Sequence, residues 1–252
     1  MCARISLGKW TQDDIDLMLS AGKCLHDVGE RIQYFSGKFL DTPYRESTLI
    51  GSANTDEEFV VDLAGIDCFT FLDYVEALRR SSTFTDFLDK LKAVRYRTGT
   101  VSYQTRNHFF TDWREYSGGS IKDITRHVGG ERTRGCLKSL NLRSDGKLFL
   151  DGLPVVERMI DHIPAASIDG EVLNALNTGD YIGIYTETDG LDVSHVGIAI
   201  RHEDGTYLRH ASSAESCRKI TDRLFVNYLT EKPGIVVLRP QTFPFEIFHG
   251  TT

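Results

Sequence analysis

In the first third of the chain, hydrophobic residues recur at steps of three and four, the spacing of a helix with one buried face. This pattern predicts a long first helix that stops before Pro43, because proline disfavours helical geometry at the residue before it. A second helix is predicted to begin at Asp67, which suits an N-cap, with Phe71 and Val75 on its buried face. The three predicted helices cover residues 13–40, 67–78 and 85–94.

The last third of the chain contains short apolar or alternating runs, which predict β-strands. The predicted strands cover residues 181–186, 193–201, 206–210 and 234–239. Asp204-Gly205 predicts a tight turn between the second and third of them, because Asp-Gly favours positive φ. Residues 96–165 show no clear periodicity and are interpreted as an insertion of loops and short elements. Helices followed by an antiparallel sheet predict an α+β fold.

Length and charge narrow the possible functions. A chain of 252 residues fits one large or two small domains, and we predict a single domain over residues 1–252. The net charge of −7 argues against general binding to nucleic acid. No apolar run is long enough for a membrane span. The first residues lack the apolar core of a secretory signal, which leaves two locations open. The protein is cytoplasmic, or it acts in the bacterial envelope or periplasm after removal of a signal.

The five cysteines are an odd number, so at least one thiol is free. Cys68 falls in the first turn of the predicted second helix, where unpaired N–H groups and the helix dipole stabilise a thiolate or an oxyanion. Such positions can lower a thiol pKa from about 8.5 to roughly 3.5–7.5. The alternative for this segment alone is a buried core cysteine. No role is assigned to the other four: Cys2, Cys24, Cys136 and Cys217.

Two histidines are candidate partners for this thiol. Alternation places His195 on one strand face with Gly197 and Ala199, and such small neighbours favour close packing by another element, which the nucleophile helix would fit. If the Asp-Gly turn pairs the strands, His210 lies beside His195 on that face. A thiol, a base and a residue that fixes the tautomer of the base are the parts of a cysteine hydrolase.

Four segments resemble the NlpC-type cell-wall hydrolases and occur in that family's order. They are Phe39-Leu-Asp-Thr-Pro-Tyr44, Gly65-Ile-Asp-Cys-Phe-Thr-Phe71, Leu176-Asn-Thr-Gly-Asp-Tyr181, and Ser194-His-Val-Gly-Ile198 with Leu208-Arg-His-Ala-Ser212. The resemblance implies a papain-like core in which N-terminal helices pack on an antiparallel sheet. It also implies that Cys68 is the nucleophile, His195 the base and His210 the orienting residue, with Tyr44 and Asp67 in support.

The chain departs from ordinary members in the residues after the nucleophile and in the long segment between Asp67 and Ala175. These features, with Arg106-Asn-His-Phe-Phe-Thr-Asp-Trp113, resemble the AmiA-like branch. That branch implies an N-acetylmuramoyl-L-alanine amidase acting on anhydromuropeptides in wall turnover. Two alternatives remain open: a γ-D-glutamyl-diaminopimelate endopeptidase and a non-catalytic wall-binding module.

The motif within the insertion predicts substrate contacts. Arg106 is expected to pair with a stem-peptide carboxylate and Trp113 to stack on a sugar, with Asn107 and Ser194 as further contacts. Alternatively Phe109, Phe110 and Trp113 anchor the loop on the core, a role that we favour for the two phenylalanines. Arg106, Asn107, His108 and Asp112 are left open between the two roles.

A zinc site on Cys68, His195 and His210 is disfavoured because no third-ligand motif lies nearby. We therefore predict no metal and no cofactor. The predicted partner is a muropeptide derived from peptidoglycan, and the oligomeric state is left open.

Overall fold

The computed structural model describes residues 3–242. Within this range it contains eight α-helices and two short 3-10 segments, Gly130–Arg132 and Ala165–Ser167. The helices are α1 (Gln12–Gly22), α2 (Val28–Lys38), α3 (Cys68–Arg79), α4 (Phe84–Arg95), α5 (Asp112–Tyr116), α6 (Thr125–Gly129), α7 (Gly170–Ala175) and α8 (Phe225–Tyr228). None of the helices in this range is long and apolar enough to cross a membrane.

The prediction of one long first helix is wrong, because the chain forms two helices there. Lys23 is the C-cap of α1, and Asp27 starts α2 by accepting a hydrogen bond from the N–H of Glu30. A capping aspartate satisfies N–H groups that have no partner within the helix, so it favours a new helix start. The predicted second and third helices correspond to α3 and α4.

Twelve strands lie within residues 3–242. They are β1 (Arg4–Ser6), β2 (Ile50–Ser52), β3 (Thr55–Glu58), β4 (Val60–Asp62), β5 (Ile121–Asp123), β6 (Arg134–Leu140), β7 (Val156–Pro164), β8 (Tyr181–Tyr185), β9 (Val193–His202), β10 (Gly205–Ala211), β11 (Ile220–Leu224) and β12 (Gly234–Pro240). Eight of them form one sheet in the order β11-β10-β9-β8-β12-β7-β6, with β5 on β12. The pairings in this sheet are antiparallel, and the predicted α+β class is confirmed.

The two faces of the sheet bury different hydrophobic clusters. Helices α1 to α4 share one cluster with Val196, Ile198 and Ile200 of β9. The other cluster joins Ala199 of β9 to Leu208 of β10 and includes Phe225 of α8. Side chains alternate along a strand, so adjacent residues of β9 contribute to opposite faces.

Residues 96–165 are more regular than predicted. Strands β6 and β7 pair along their length, from Arg134 with His162 to Leu140 with Val156, and β7 continues the main sheet. The prediction of loops and short elements is therefore wrong for this hairpin. Its polarity is the reverse of the usual pattern, because Lys138 is buried whereas Leu137 is 60% exposed. A hydrophobic pattern could not reveal strands of this kind.

Candidate active site

Cys68 is the first residue of α3, and Asp67 is its N-cap, as predicted. The Asp67 carboxylate accepts hydrogen bonds from the N–H groups of Phe69, at 3.0 Å, and Thr70, at 2.8 Å. The N–H of Asp67 in turn donates to the Thr70 hydroxyl, which completes a capping box. This arrangement fixes the start of the helix and therefore the position of the Cys68 sulfur.

The Cys68 sulfur lies at the point where β9 and β10 separate. The N–H of Ala199 donates to Asp180 on the β8 side of β9, so the N–H of Val196 points to the β10 side. Pairing with β10 extends only to Ile198, which leaves the N–H of Val196 free of that ladder. This N–H, with those of Cys68 and Phe69, favours the thiolate form of Cys68. The sulfur therefore lies beside the residue that follows His195.

A β-bulge precedes the candidate base. Ile184 pairs with His195 and Tyr185 pairs with Val193, so Ser194 is an extra residue on β9. Bulges change the direction of nearby side chains and often occur next to active sites. Ser194 is exposed and its hydroxyl donates to the carbonyl of Ile184 at 3.4 Å. Its predicted contact with substrate stays a prediction.

The structure places His195 and His210 side by side, as the strand pairing predicted. Nε2 of His195 is 2.8 Å from Nδ1 of His210, and the two rings are almost perpendicular. If Nδ1 of His195 is to accept the thiol proton, its Nε2 must carry hydrogen and donate to His210. His210 then carries its own hydrogen on Nε2, which is buried without a hydrogen-bond partner among residues 3–242.

The small residues on the face of His195 do not accommodate the nucleophile helix. A Cβ atom added at Gly197 would lie 2.7 Å from the Leu208 side chain and 2.9 Å from the Arg209 carbonyl oxygen. The close neighbour is therefore β10 itself. Helix α3 shares its cluster with the residues of the opposite face, such as Val196 and Ile198. The expectation that α3 packs on Gly197 and Ala199 is wrong.

Two tyrosines complete the surroundings of the thiol. Burial raises the pKa of Tyr44, and the nearby Cys68 and Asp67 raise it further, so this tyrosine lies close to the sulfur. Tyr228 of α8 packs against both imidazoles, with ring centroids 6.1 Å from His195 and 4.9 Å from His210. Sequence reasoning missed Tyr228, since no pattern distinguishes it in a short helix after β11.

Burial makes the thiol and both imidazoles neutral near pH 7. It raises the pKa of Cys68 to about 12, and the Asp67 carboxylate acts in the same direction. Burial also lowers the pKa of His195 to about 3, assisted by His210 and Lys232. The pKa of His210 falls to about 4, again mainly through burial. The expected low thiol pKa is therefore wrong for this site, because burial and a carboxylate outweigh the stabilising N–H groups.

Arg106 is engaged within the protein. Its guanidinium donates to both carboxylate oxygens of Glu57, at 2.9 and 3.0 Å, and the two side chains are 11% and 2% exposed. The same carboxylate accepts a hydrogen bond from the Tyr96 hydroxyl at 2.9 Å. The predicted role in binding a substrate carboxylate is therefore wrong, because Glu57 already neutralises this charge.

Other residues of the same motif are also structural. Trp113 is buried and packs edge-on against Phe69 and Tyr181, so its indole has no free face for a sugar. The side chain of Asn107 is buried and donates to the Val94 carbonyl at 2.9 Å. The substrate contacts predicted for Trp113 and Asn107 are wrong for this reason. The remaining side chains of the motif are likewise buried or bonded within the protein: His108, Phe109, Phe110, Thr111 and Asp112.

Metal binding finds little support in the donor geometry. Within the described residues, no group of three or more His, Cys, Asp and Glu side chains could hold a metal ion. The inner nitrogens of the two active-site histidines are hydrogen-bonded to each other, which removes them as ligands. Cys24, Cys68, Cys136 and Cys217 are free thiols, while Cys2 lies outside the described residues.

Comparison with known proteins identifies relatives of this chain. A family model described as AmiA-like, N-acetylmuramoyl-L-alanine amidase-like, matches residues 34–235. A crystal structure of an N-acetylmuramoyl-L-alanine amidase from Bacteroides uniformis is 27% identical, with a TM-score of 0.73, covering 85% of this chain and 99% of that one. No curated protein matches the chain.

Two further solved structures share the fold. A putative xylanase from Bacteroides fragilis is 27% identical, with a TM-score of 0.66, and the match covers 81% of this chain and 98% of that one. A protein from Legionella pneumophila is 23% identical, with a TM-score of 0.76, and covers 92% of this chain and 94% of that one. At that identity the Legionella protein supports the fold alone.

Proposed function

Because the chain belongs to the AmiA-like, N-acetylmuramoyl-L-alanine amidase-like family, we propose that it is a cysteine amidase acting on peptidoglycan fragments. The bond it cleaves joins the lactyl group of N-acetylmuramic acid to L-alanine, and the proposed substrates are anhydromuropeptides. Cys68 is the nucleophile, His195 the base and His210 the residue that orients the base. The proposed fold is a single papain-like, NlpC-type domain in which residues 96–165 are an insertion.

One observation carries this proposal. The contact between His195 Nε2 and His210 Nδ1, at 2.8 Å, leaves the other ring nitrogen of His195 available on a strand that also borders the Cys68 sulfur. A nucleophile, a base and a group that fixes the tautomer of the base are what acyl transfer requires. The sulfur at the first residue of α3 adds a helix N-terminus, which favours a developing oxyanion.

The reaction begins from neutral groups. As the sulfur attacks the lactyl carbonyl carbon, the thiol proton moves to Nδ1 of His195, and the carbonyl oxygen becomes an oxyanion. The Asp67 carboxylate holds the N–H of Thr70 and shares the N–H of Phe69 with the sulfur, so the N–H of Cys68 is the backbone donor of this turn that can be directed at the oxyanion.

Collapse of the oxyanion breaks the carbon–nitrogen bond, and His195 returns its proton to the departing amine of L-alanine. The product at this stage is a muramoyl thioester on Cys68. Water then attacks the thioester carbonyl while His195 accepts one of its protons, and that proton passes to the leaving sulfur. The enzyme returns to its neutral state with muramic acid released as a carboxylic acid.

The alternatives share parts of this site. A γ-D-glutamyl-diaminopimelate endopeptidase would use the same three residues on a different amide. A glycosidase such as a xylanase normally works with two carboxyl groups across the scissile bond. The Asp67 carboxylate beside the thiol is occupied in capping α3, while the thiol and the two contacting imidazoles are groups suited to nucleophilic and base chemistry. This set favours acyl transfer over glycoside hydrolysis.

Product analysis tests the proposal. Purified anhydromuropeptides and free stem peptides are incubated with the wild-type protein and with Cys68→Ala, and the products are identified by mass spectrometry. The wild type should release the intact stem peptide from the anhydromuropeptide and leave the free peptide uncut, whereas Cys68→Ala should do neither. Cleavage within the free peptide would replace the amidase proposal with the endopeptidase alternative.

A further inference from the structure

Lys138 on β6 is a buried cation without a carboxylate partner among the described residues. Lys138 is only 5% exposed to solvent. Nζ donates to the carbonyl oxygens of Thr186 and Thr188, both at 2.9 Å. An ammonium has three hydrogens, so one donor remains after these two bonds. A buried charge is costly unless an opposite charge compensates it.

The groups around Lys138 do not supply that opposite charge. Arg158 lies directly across the hairpin from Lys138, and its guanidinium is paired with Asp112 at 2.9 Å. The ammonium lies 5.3 Å from the centre of the Tyr185 ring, and the His162 ring stacks on the same tyrosine with the ring centroids 3.7 Å apart. Nδ1 of His162 is also buried without a hydrogen-bond partner among residues 3–242.

A cavity of about 520 Å³ adjoins this lysine and is also lined by Tyr185 and Cys136. Glu187 and Asp189 lie at the same cavity, but both are exposed to solvent, where water screens their charge. The buried part of the cavity is therefore cationic. Such a site suits an anion that enters with a carboxylate directed at the ammonium.

The cavity is close to the candidate catalytic residues. Ile184 pairs with His195 across the sheet, and Tyr185 is the next residue of the same strand. Thr186, which binds Lys138, is two residues from Ile184, or about 7 Å along an extended chain. A peptide that extends from a scissile amide at Cys68 past the end of β8 would bring the groups one or two residues beyond that amide toward Lys138.

We propose that Lys138 binds a carboxylate of the stem peptide one or two residues beyond L-alanine, and so selects acidic peptides as the leaving group. This inference rests on the proposed function. A γ-linked glutamyl residue keeps its α-carboxylate free, and the following residue offers a second carboxylate. Lys138 thereby has the role that the sequence assigned to Arg106, whose charge Glu57 already neutralises.

The test compares binding of acidic and amidated ligands. In a Cys68→Ala background, which prevents turnover, calorimetry measures the affinity for a muropeptide with free carboxylates. Two analogues carry an amide in place of the glutamyl α-carboxylate or of the carboxylate on the next residue. Lys138→Met removes the charge and keeps the length of the side chain. Lys147→Met, at an exposed lysine of the same hairpin connection, is the matched control.

Lys138→Met should weaken binding of the free acid about ten- to a hundredfold, the effect of one charge-assisted contact, and should leave one amidated analogue unaffected. That analogue identifies the carboxylate bound by Lys138. Equal losses for all three ligands would mean a purely structural lysine and would overturn the inference. Equal binding of the acid and both amides by the protein with Lys138 intact would also overturn the inference. This second comparison does not depend on the folding of any Lys138 variant.

The two proposals can fail separately. With Cys68 intact, a protein that prefers acidic ligands through Lys138 but leaves the lactyl–alanine bond uncut would contradict the amidase function alone. Equal cleavage of that bond in the free acid and in both amidated analogues would contradict the role of Lys138 alone.

Discussion

Two regions of the molecule differ in how far their polar side chains are engaged within the protein. One is the junction where α3 meets β9 and β10, and the other is the segment 96–165. At the junction, Cys68, His195 and His210 remain only partly engaged, and the contact between the histidines is what catalysis needs. In the segment, Arg106, Asn107 and Trp113 are occupied by the fold itself. A conspicuous polar or aromatic motif therefore indicates function only where its side chains lack partners within the protein. In that segment Lys138 differs from Arg106 because its buried ammonium is bonded to backbone carbonyls and has no carboxylate partner among the described residues.

The largest expected effect is a loss of kcat/KM that differs between the two histidines of the junction. His195→Ala should lower kcat/KM about 10²–10⁴-fold, because the base transfers protons in both half-reactions. His210→Ala should cost distinctly less, because that residue fixes only the tautomer and orientation of the base. Steady-state hydrolysis of an anhydromuropeptide measures both. Equal and mild losses would contradict the assigned roles, provided that circular dichroism shows both variants folded.

Arg106→Ala tests whether the insertion motif is structural. The variant should lower the free energy of unfolding by about 3–5 kcal/mol, because it leaves the buried Glu57 carboxylate without its counter-ion. Urea denaturation measures this loss. Arg4→Ala is the control, since Arg4 lies 4.0 Å from Glu58 in an exposed pair, which should contribute no more than about 1 kcal/mol. Unchanged stability of Arg106→Ala with a selective loss of substrate affinity would restore the original binding role.

The pH dependence of thiol labelling tests the neutral resting state. Because the pKa of Cys68 is raised to about 12 by burial, its thiolate fraction should increase about tenfold per pH unit across the range from 7 to 9. Alkylation of Cys68 by iodoacetamide, followed by peptide mass spectrometry, should therefore accelerate throughout this range. Exposed Cys24 provides the internal comparison. A Cys68 rate that is already maximal at pH 7 would instead indicate a preformed ion pair with His195.

A smaller effect is expected at Tyr228. Aromatic contacts are worth about 0.5–1.5 kcal/mol, so Tyr228→Ala should lower kcat roughly two- to tenfold through looser positioning of the histidines. Tyr228→Phe keeps the ring and should retain most of the activity. If the phenylalanine variant loses as much as the alanine variant, the hydroxyl rather than the ring is the important part of this residue.

Sequence prediction succeeded where the interacting residues are close along the chain and failed where they are far apart. The start of α3 was predictable because the capping hydrogen bond spans only three residues, from the N–H of Thr70 to the Asp67 carboxylate. The pairing of β9 with β10 was predictable because a tight turn at Asp204-Gly205 joins them. These signals are local. The hairpin of β6 and β7 was missed because its strands are joined by a long connection and its buried positions include Lys138 and Arg158.

Partnerships between distant residues were equally invisible. Glu57 precedes Arg106 by 49 positions, and no pattern in either segment indicates that the two form a pair. The raised pKa of Cys68 depends on how deeply several elements bury the sulfur, which the helix start alone does not reveal. Tyr228 likewise gains its position only through the packing of α8 against β10.

The most direct test of the central claim is to trap the covalent intermediate. Wild-type protein is mixed with an anhydromuropeptide, quenched with acid within a single turnover, digested and analysed by mass spectrometry. The claim predicts a muramoyl thioester on the peptide that contains Cys68, absent from Cys68→Ala and formed much more slowly by His195→Ala. A peptidyl adduct on Cys68, or turnover of the substrate by Cys68→Ala, would contradict it.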